Sequence, residues 1–291
     1  MSPRKLSVIV TCTDRKAYEP ARDLMVRNLL GTDVATRSNR WLAAIEAEPP
    51  VAPLNDLYRG ETWSQVNGLV KTARAAGYDP TLYVASAGLG LRKATFKAPA
   101  YAATFSPGHA DSVASTTPAA KDWWARLPHE VTALDDTPAV WVLSRSYAQV
   151  IGQDLLARRA TDRVLVFGGA EQIPDQFRVP AQRSLRHTLG GTVTSINVRI
   201  AAKWIELAGG DELHSLAARE KFHLWAKEAT VEERFDRRPL TDEQVIDLIR
   251  QMLAQDAGMP KSRALRQLRS AGLACEQKRF AGLYARVVAK R

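Results

Sequence analysis

Four short segments hold the residue types most able to do chemistry. The first is Thr11-Cys12-Thr13-Asp14-Arg15-Lys16, which sets hydroxyls, a thiol, a carboxylate and two cations side by side. A carboxylate beside Arg and Lys stays ionised, and it can orient a water or stabilise positive charge developing in a transition state. Capping a helix that starts near Arg15 is the plainer use of Asp14, and on composition alone it is the commoner one. The second segment is Ser86-Ala87-Gly88-Leu89-Gly90, continuing through Arg92 and Lys93; the third is Ser144-Arg145-Ser146; the fourth is Gly168-Gly169-Ala170-Glu171. Small residues let a ligand approach the backbone, and hydroxyls with Arg or Lys can hold a phosphate or the edge of a base.

Two further stretches supply side chains of the right kind. Tyr101 to His109 is a polar, aromatic loop able to reach over a site, with Ser106 and His109 as its candidate contacts. His109 can hold a phosphate or a leaving base, although a lone loop histidine is more often simply solvated. Asn55 and the run Leu57-Tyr58-Arg59-Gly60-Glu61-Thr62-Trp63 offer an amide, aromatics and an arginine suited to stacking and base-edge contacts. Tyrosine and tryptophan at this spacing more often pack in a core. The five histidines show no HxxxH or HExxH spacing and there is no CxxC, so no metal site is expected. SAGLGL lacks both the Rossmann spacing and the Lys-Ser/Thr of a phosphate loop, so no nucleotide cofactor is expected. There is no GxSxG elbow. Cys12 sits at a strand end and could in principle act as a nucleophile, and a small buried cysteine is the commoner case.

The elements that must position these segments follow from hydrophobic patterning. Residues 6–13, 81–87, 139–144 and 163–169 are short apolar runs with β-branched residues, each ending in one of the four segments. They are apolar on both strand faces, as in a sheet covered on both sides. Helical patterns over 62–77, 146–158 and 194–208 intervene. The alternation predicts an α/β fold, a three-layer αβα domain with a mainly parallel central sheet. In such a sheet ligands bind outside the carboxyl ends of the strands, so the four segments are predicted to converge on one edge.

Gly209-Gly210 is the expected boundary, giving a domain over 1–209 and a helical module over 210–291. The module reads as helices at 211–228, 241–256 with Thr241 as cap, 261–271 stopped at Gly272, and 275–288. Leu265, Leu268, Phe280, Leu283 and Val287 form its apolar stripes. The chain of 291 residues carries a net charge of +10. From Pro260 onward there are nine Lys and Arg against Glu276 alone, which concentrates +8 in that stretch. Two short helices, a glycine turn and basic outer faces suit a helix-turn-helix-like nucleic-acid module, with Lys261, Arg263, Arg266, Arg269, Lys278 and Arg279 as the expected DNA contacts. No apolar run approaches the ~20 residues a membrane span needs. Two distant cysteines make no disulfide framework, and the N-terminus reads as a strand and not a signal peptide. The expectation is a cytoplasmic monomer.

CTDRK at the first strand end, LNDLYRGETW, LYVASAGLGL and a Tyr-Xaa-Xaa-Thr-Phe loop, in that order, resemble a loose bacterial and phage family. That family is related to the uracil-DNA-glycosylase-like domain of archaeosine synthase and to DNA-binding peroxide-stress proteins. The resemblance rests on Cys12, Thr13 and Lys16, on Leu57, Tyr58 and Gly60, and on Ser86, Ala87, Gly90 and Leu91; it covers about residues 6–200. The family's later Tyr-Asp is absent here. Within the group the chain looks most like phage-defence DNA glycosylases that excise glucosylated hydroxymethylcytosine. The resemblance implies antiviral defence by hydrolysis of an N-glycosidic bond, leaving an abasic site, without metal or cofactor. The base would be flipped out of the stack, with basic residues gripping the backbone. A carboxylate would stabilise the oxocarbenium-like sugar and position water, a role for Asp14. Cys12, Thr13, Arg15, Lys16, Asn55, Tyr58, Ser86, Gly88, Gly90, Ser106, His109, Ser144 and Arg145 are the expected substrate contacts. Two alternatives compete: a base-modifying enzyme of the 7-deazaguanine pathway, and a DNA- or RNA-binding protein without catalysis.

Overall fold

The structure is a computed structural model and describes residues 3–130, 137–157, 163–230 and 238–289. The predicted end of one helix at Arg158 and the terminal Lys290 and Arg291 lie outside the described residues. The chain forms two compact units, Met1–Val231 and Glu232–Arg291.

The first unit is built on a six-stranded sheet. Its strands are β1 (Arg4–Thr11), β2 (Tyr78–Ser86), β3 (Gly90–Lys93), β4 (Ala139–Leu143), β5 (Val164–Gly168) and β6 (Arg178–Val179), in the order β3-β2-β1-β4-β5-β6. All neighbours run parallel except β2 and β3, which form an antiparallel hairpin through Ser86↔Gly90. The apolar runs become strands because helices cover both faces, so Val8, Ile9 and Val10 are all buried. One helical layer contains α1 (Val34–Ala47), α3 (Thr117–Arg126) and α4 (Arg145–Ala157). The other contains α2 (Glu61–Ala75), α5 (Ile196–Ala208) and α6 (Leu216–Ala229). The three-layer α/β architecture with a mainly parallel sheet is therefore present.

The expected boundary at Gly209-Gly210 is displaced. Helix α6 packs on α5, and its Ala218, Phe222, Ala226 and Ala229 belong to the core of the first unit. The glycine pair bends the chain between two helices of one core, and the division falls after α6.

The second unit contains α7 (Asp242–Gln255), α8 (Lys261–Ser270) and α9 (Gln277–Val288). Thr241 caps α7 in a reciprocal capping box with Gln244. The unit is not wholly helical: Arg238–Pro239 and Leu273–Ala274 pair as two short parallel strands. Val245, Ile249, Leu268, Phe280 and Leu283 fill its own core.

Candidate active site

Strand order makes β1/β4 the switch point of the sheet, because the chain crosses from β1 to β2 on one side and β4 pairs on the other. A crevice forms there outside the carboxyl ends of the strands. It is a cleft of about 630 Å³, lined from β1 by Thr11, Cys12, Thr13, Asp14 and Arg15, and from the start of α2 by Arg59, Gly60, Glu61 and Thr62. Thr104, Ser106 and His109 line it from the 101–113 loop, Ser144 and Tyr147 from the β4–α4 junction, and Thr192 and Thr194 from the segment before α5. Sites of about 300–1,000 Å³ commonly bury a small-molecule-sized ligand.

The Asp14 loop is held by its backbone. Ala17 N–H donates to Leu57 C=O at 2.8 Å and Arg59 N–H to Arg15 C=O at 3.0 Å. Lys16 folds inward and donates its ammonium to the carbonyls of Thr13 (3.4 Å) and Asp14 (3.3 Å). That ammonium lies 4.4 Å from the centre of the Tyr101 ring, a cation–π contact. Burial lowers the Lys16 pKa, opposed by electrostatic interaction with Cys12, Asp14 and Asp111. Residues 15–17 are not helical, so Asp14 caps no helix. Its carboxylate is exposed at the cleft and has no side-chain partner among the described residues.

Glu61, the other carboxylate of the cleft, is fully engaged. It accepts from Arg199 (2.8 Å), Ser195 (2.8 Å) and Thr192 (2.8 Å). Burial pushes its pKa up, but these hydrogen bonds and the Arg199 charge outweigh that and leave it lowered. Glu61 thereby ties the segment carrying Thr192 and Thr194 to the start of α2.

His109 is oriented by its own loop. The Asp111 N–H donates to His109 Nδ1 at 3.1 Å, so a neutral ring carries its proton on Nε2. The loop is anchored where Asp111, 1% exposed, accepts from Arg27 through its backbone N–H, its Nε at 2.8 Å and its Nη2. Burial raises the Asp111 pKa, and the Arg27 hydrogen bonds and charge overcome that to lower it. His109 contributes a smaller lowering. A carboxyl with a lowered folded-state pKa contributes stability above its unfolded value of about 3.9, lost as pH falls through the folded value. Asp111→Asn is expected to cost about 1–3 kcal/mol at neutral pH and to remove this share of the acid sensitivity. Urea melts of both proteins at neutral pH and below pH 4 check it.

Several expected contacts lie behind the cleft and do not line it. Tyr58 and Ser86 are fully buried, and Tyr101 Oη is 2.5 Å from both Tyr58 Oη and Ser86 Oγ. Ser86 Oγ also accepts the N–H groups of Gly88 and Leu89 at 3.1 Å, so its proton goes to Tyr101 and that of Tyr101 to Tyr58. Burial drives the pKa values of Tyr58 and Tyr101 well up and keeps both hydroxyls neutral. The 86–90 turn is thus a buried support: Gly88 C=O accepts from Trp41 Nε1 at 2.7 Å, and Gly90 turns against Pro128. Lys16 supports the loop from within. Asn55 faces a separate groove on the same unit. Arg145 is exposed and pairs with Glu171 at 3.4 Å. Cys12, Thr13, Asp14, Arg15, Ser106, His109 and Ser144 do come together. Cys12 Sγ is hydrogen-bonded to Tyr147 Oη at 3.0 Å, and burial raises the Tyr147 pKa. Tyr147, Thr192 and Thr194 escaped the sequence reading. Tyr147 stands three residues after Ser144, one helical turn into the site, and the threonines follow the Gly190-Gly191 pair.

In the second unit the six expected DNA contacts divide. Lys261, Arg266 and Lys278 are exposed and unpaired among the described residues. Arg263 pairs with Asp256 at 3.4 Å, Arg269 donates to Cys275 C=O at 3.4 Å, and Arg279 holds Asp242 at 2.6 Å and Leu240 C=O at 2.9 Å. Arg279 therefore holds the unit together. No group of three potential metal ligands occurs among the described residues, and no described helix is long and apolar enough to cross a membrane. Comparison with protein-family models, curated proteins and solved structures returns no match for this chain.

Proposed function

We propose that the protein is an antiphage DNA glycosylase that hydrolyses the N-glycosidic bond of a modified base, a glucosylated hydroxymethylcytosine. The observation that carries this reading is the Asp14 carboxylate, without a side-chain partner among the described residues, at the β1/β4 switch point in a cleft otherwise rich in hydroxyls and cations. A base turned out of the duplex enters the cleft, and Arg15 and Arg59 contact its phosphates. The bond between C1′ and the base nitrogen breaks with the electron pair leaving on the base. Asp14 stabilises the cationic sugar and takes a proton from the water that adds to C1′. His109, lining the same cleft, hydrogen-bonds the leaving base through its Nε2–H without giving up the proton. The departing base anion is protonated by solvent water, and Asp14 returns to solvent the proton it took. The products are the free base and an abasic site. Thr13, Thr62, Thr104, Ser106, Ser144, Thr192 and Thr194 form a hydroxyl-rich wall suited to a sugar substituent.

Phage genomic DNA carrying plain, hydroxymethylated or glucosylated cytosine, incubated with the protein and treated with alkali, tests the reading. Fragmentation confined to glucosylated DNA is expected. Intact DNA in every lane would falsify it.

The second unit supplies a sequence-independent grip on the same DNA. Replacing Lys261, Arg266 and Lys278 by Gln is expected to reduce the salt-dependence slope of DNA binding by about 3, roughly one per lost phosphate contact. An unchanged slope removes these residues from the interface. Truncation at residue 260 is a poor substitute, because it leaves Val245, Ile249 and Leu253 of α7 without Leu265, Leu268, Phe280 and Leu283.

A further inference from the structure

A second concavity of about 570 Å³ lies on the first unit, lined by Asn55, Asn67, Lys71, Arg74, Thr81, Lys93 and apolar neighbours. Asn67, Lys71 and Arg74 lie at i, i+4 and i+7 and so share one face of α2. Lys93 ends the edge strand β3. Among the described residues no carboxylate lines the groove, and none of Lys71, Arg74 and Lys93 is ion-paired. Glu130, on the β3 side, is taken up by Arg92 at 3.7 Å and by the Lys93 N–H at 3.2 Å. A merely solvating basic face interleaves both signs of charge; this groove gathers three cations and two carboxamides in a concavity.

Its distance from the cleft sets where along a bound duplex it would act. Helix α2 begins at the cleft with Glu61 and Thr62 and passes the groove with Lys71 and Arg74. From Glu61 to Arg74 the helix rises about 20 Å, the axial length of about six base pairs of duplex. We infer that the groove binds the phosphodiester backbone of the DNA about half a helical turn from the nucleotide held in the cleft. The choice of DNA as the polyanion rests on the proposed function. The groove holds the flanking duplex while the cleft takes the base, and the carboxamides of Asn55 and Asn67 can donate to phosphate oxygens beside the cations.

The test uses the full chain and an unmodified duplex of about three helical turns, with binding followed by fluorescence anisotropy from about 50 to about 200 mM salt. The variant Lys71→Gln, Arg74→Gln, Lys93→Gln is expected to lower the salt slope by about 3, so that the affinity lost across that range shrinks about 40-fold. A control with the same charge change, Arg22→Gln, Lys121→Gln, Lys227→Gln, is expected to keep a slope within about 1 of the parent. An unchanged slope in the groove variant overturns the inference, and so does an equal fall in the control. A groove specific for small phosphates would show inorganic phosphate displaced from the parent protein but no change of DNA slope in the variant, which also overturns it. Base release from glucosylated DNA is scored separately. Release with an unchanged groove slope overturns only the groove, and a lowered slope without release overturns only the glycosylase.

Discussion

Asp14→Asn is expected to slow base release by about 10³-fold, near 4 kcal/mol of transition-state stabilisation, while leaving DNA affinity and stability nearly unchanged. The amide fills the same volume but carries no charge to offset the sugar cation and no basic oxygen to take the proton of water. Since the Asp14 carboxylate has no side-chain partner among the described residues, its replacement breaks no intramolecular bond. Its stability cost should stay within about 0.5 kcal/mol, as for other surface positions. Glu61→Gln provides the contrast. It loosens the bonds to Arg199, Ser195 and Thr192, so melting temperature and release rate should fall together. Single-turnover release and thermal melts of both variants separate the roles. Full activity in Asp14→Asn would remove it from the reaction, and equal melting losses in both variants would make it structural.

The sheet was legible because its four long strands are buried on both faces and therefore read as continuous apolar runs. Helices α1 and α3 were not. Trp41 and Trp123 anchor them, donating to Gly88 C=O at 2.7 Å and to Ala87 C=O at 2.8 Å, and such contacts have no sequence periodicity. The site was legible in part for a related reason. Cys12, Thr13, Asp14 and Ser144 lie at strand ends, where topology alone sends a residue to the crevice. Tyr58, Ser86, Gly88 and Gly90 follow equally suggestive patterns but face inward, because the Tyr101 hydroxyl completes a buried hydrogen-bond chain that only the tertiary fold reveals. Lys16 shows the same limit. A lysine beside an aspartate reads as surface charge, yet its ammonium caps two carbonyls beneath the loop and rests on an aromatic face. Thr192 and Thr194 reach the cleft from about 180 residues along the chain, through the bonds of Glu61.

Gly90→Ala is expected to destabilise the first unit by at least about 3 kcal/mol, more than most substitutions cost. Gly90 has φ +76°, where an L side chain pays about 1–2 kcal/mol, and an added Cβ would lie 1.9 Å from Pro128 O. The obstacle is backbone, so no rotamer change relieves it, and either the β2–β3 hairpin or the 127–130 segment must move. Movement of the hairpin disturbs Ser86, whose Oγ holds the Gly88 and Leu89 N–H groups and orients Tyr101. Tyr101 is the face on which Lys16 rests, and Lys16 holds the Thr13 and Asp14 carbonyls, so the damage propagates to the Asp14 loop. Gly77→Ala isolates the backbone part. Gly77 has φ +82° but nothing within 4 Å of an added Cβ, so its cost should stay near 1–2 kcal/mol. Urea midpoints of the two variants decide the matter. Equal shifts would mean that left-handed backbone alone sets the cost and that the contact with Pro128 is readily relaxed. A larger shift for Gly90→Ala, with base release impaired in the protein that remains folded, would place the 86–90 turn as the rigid floor on which the Asp14 loop is mounted.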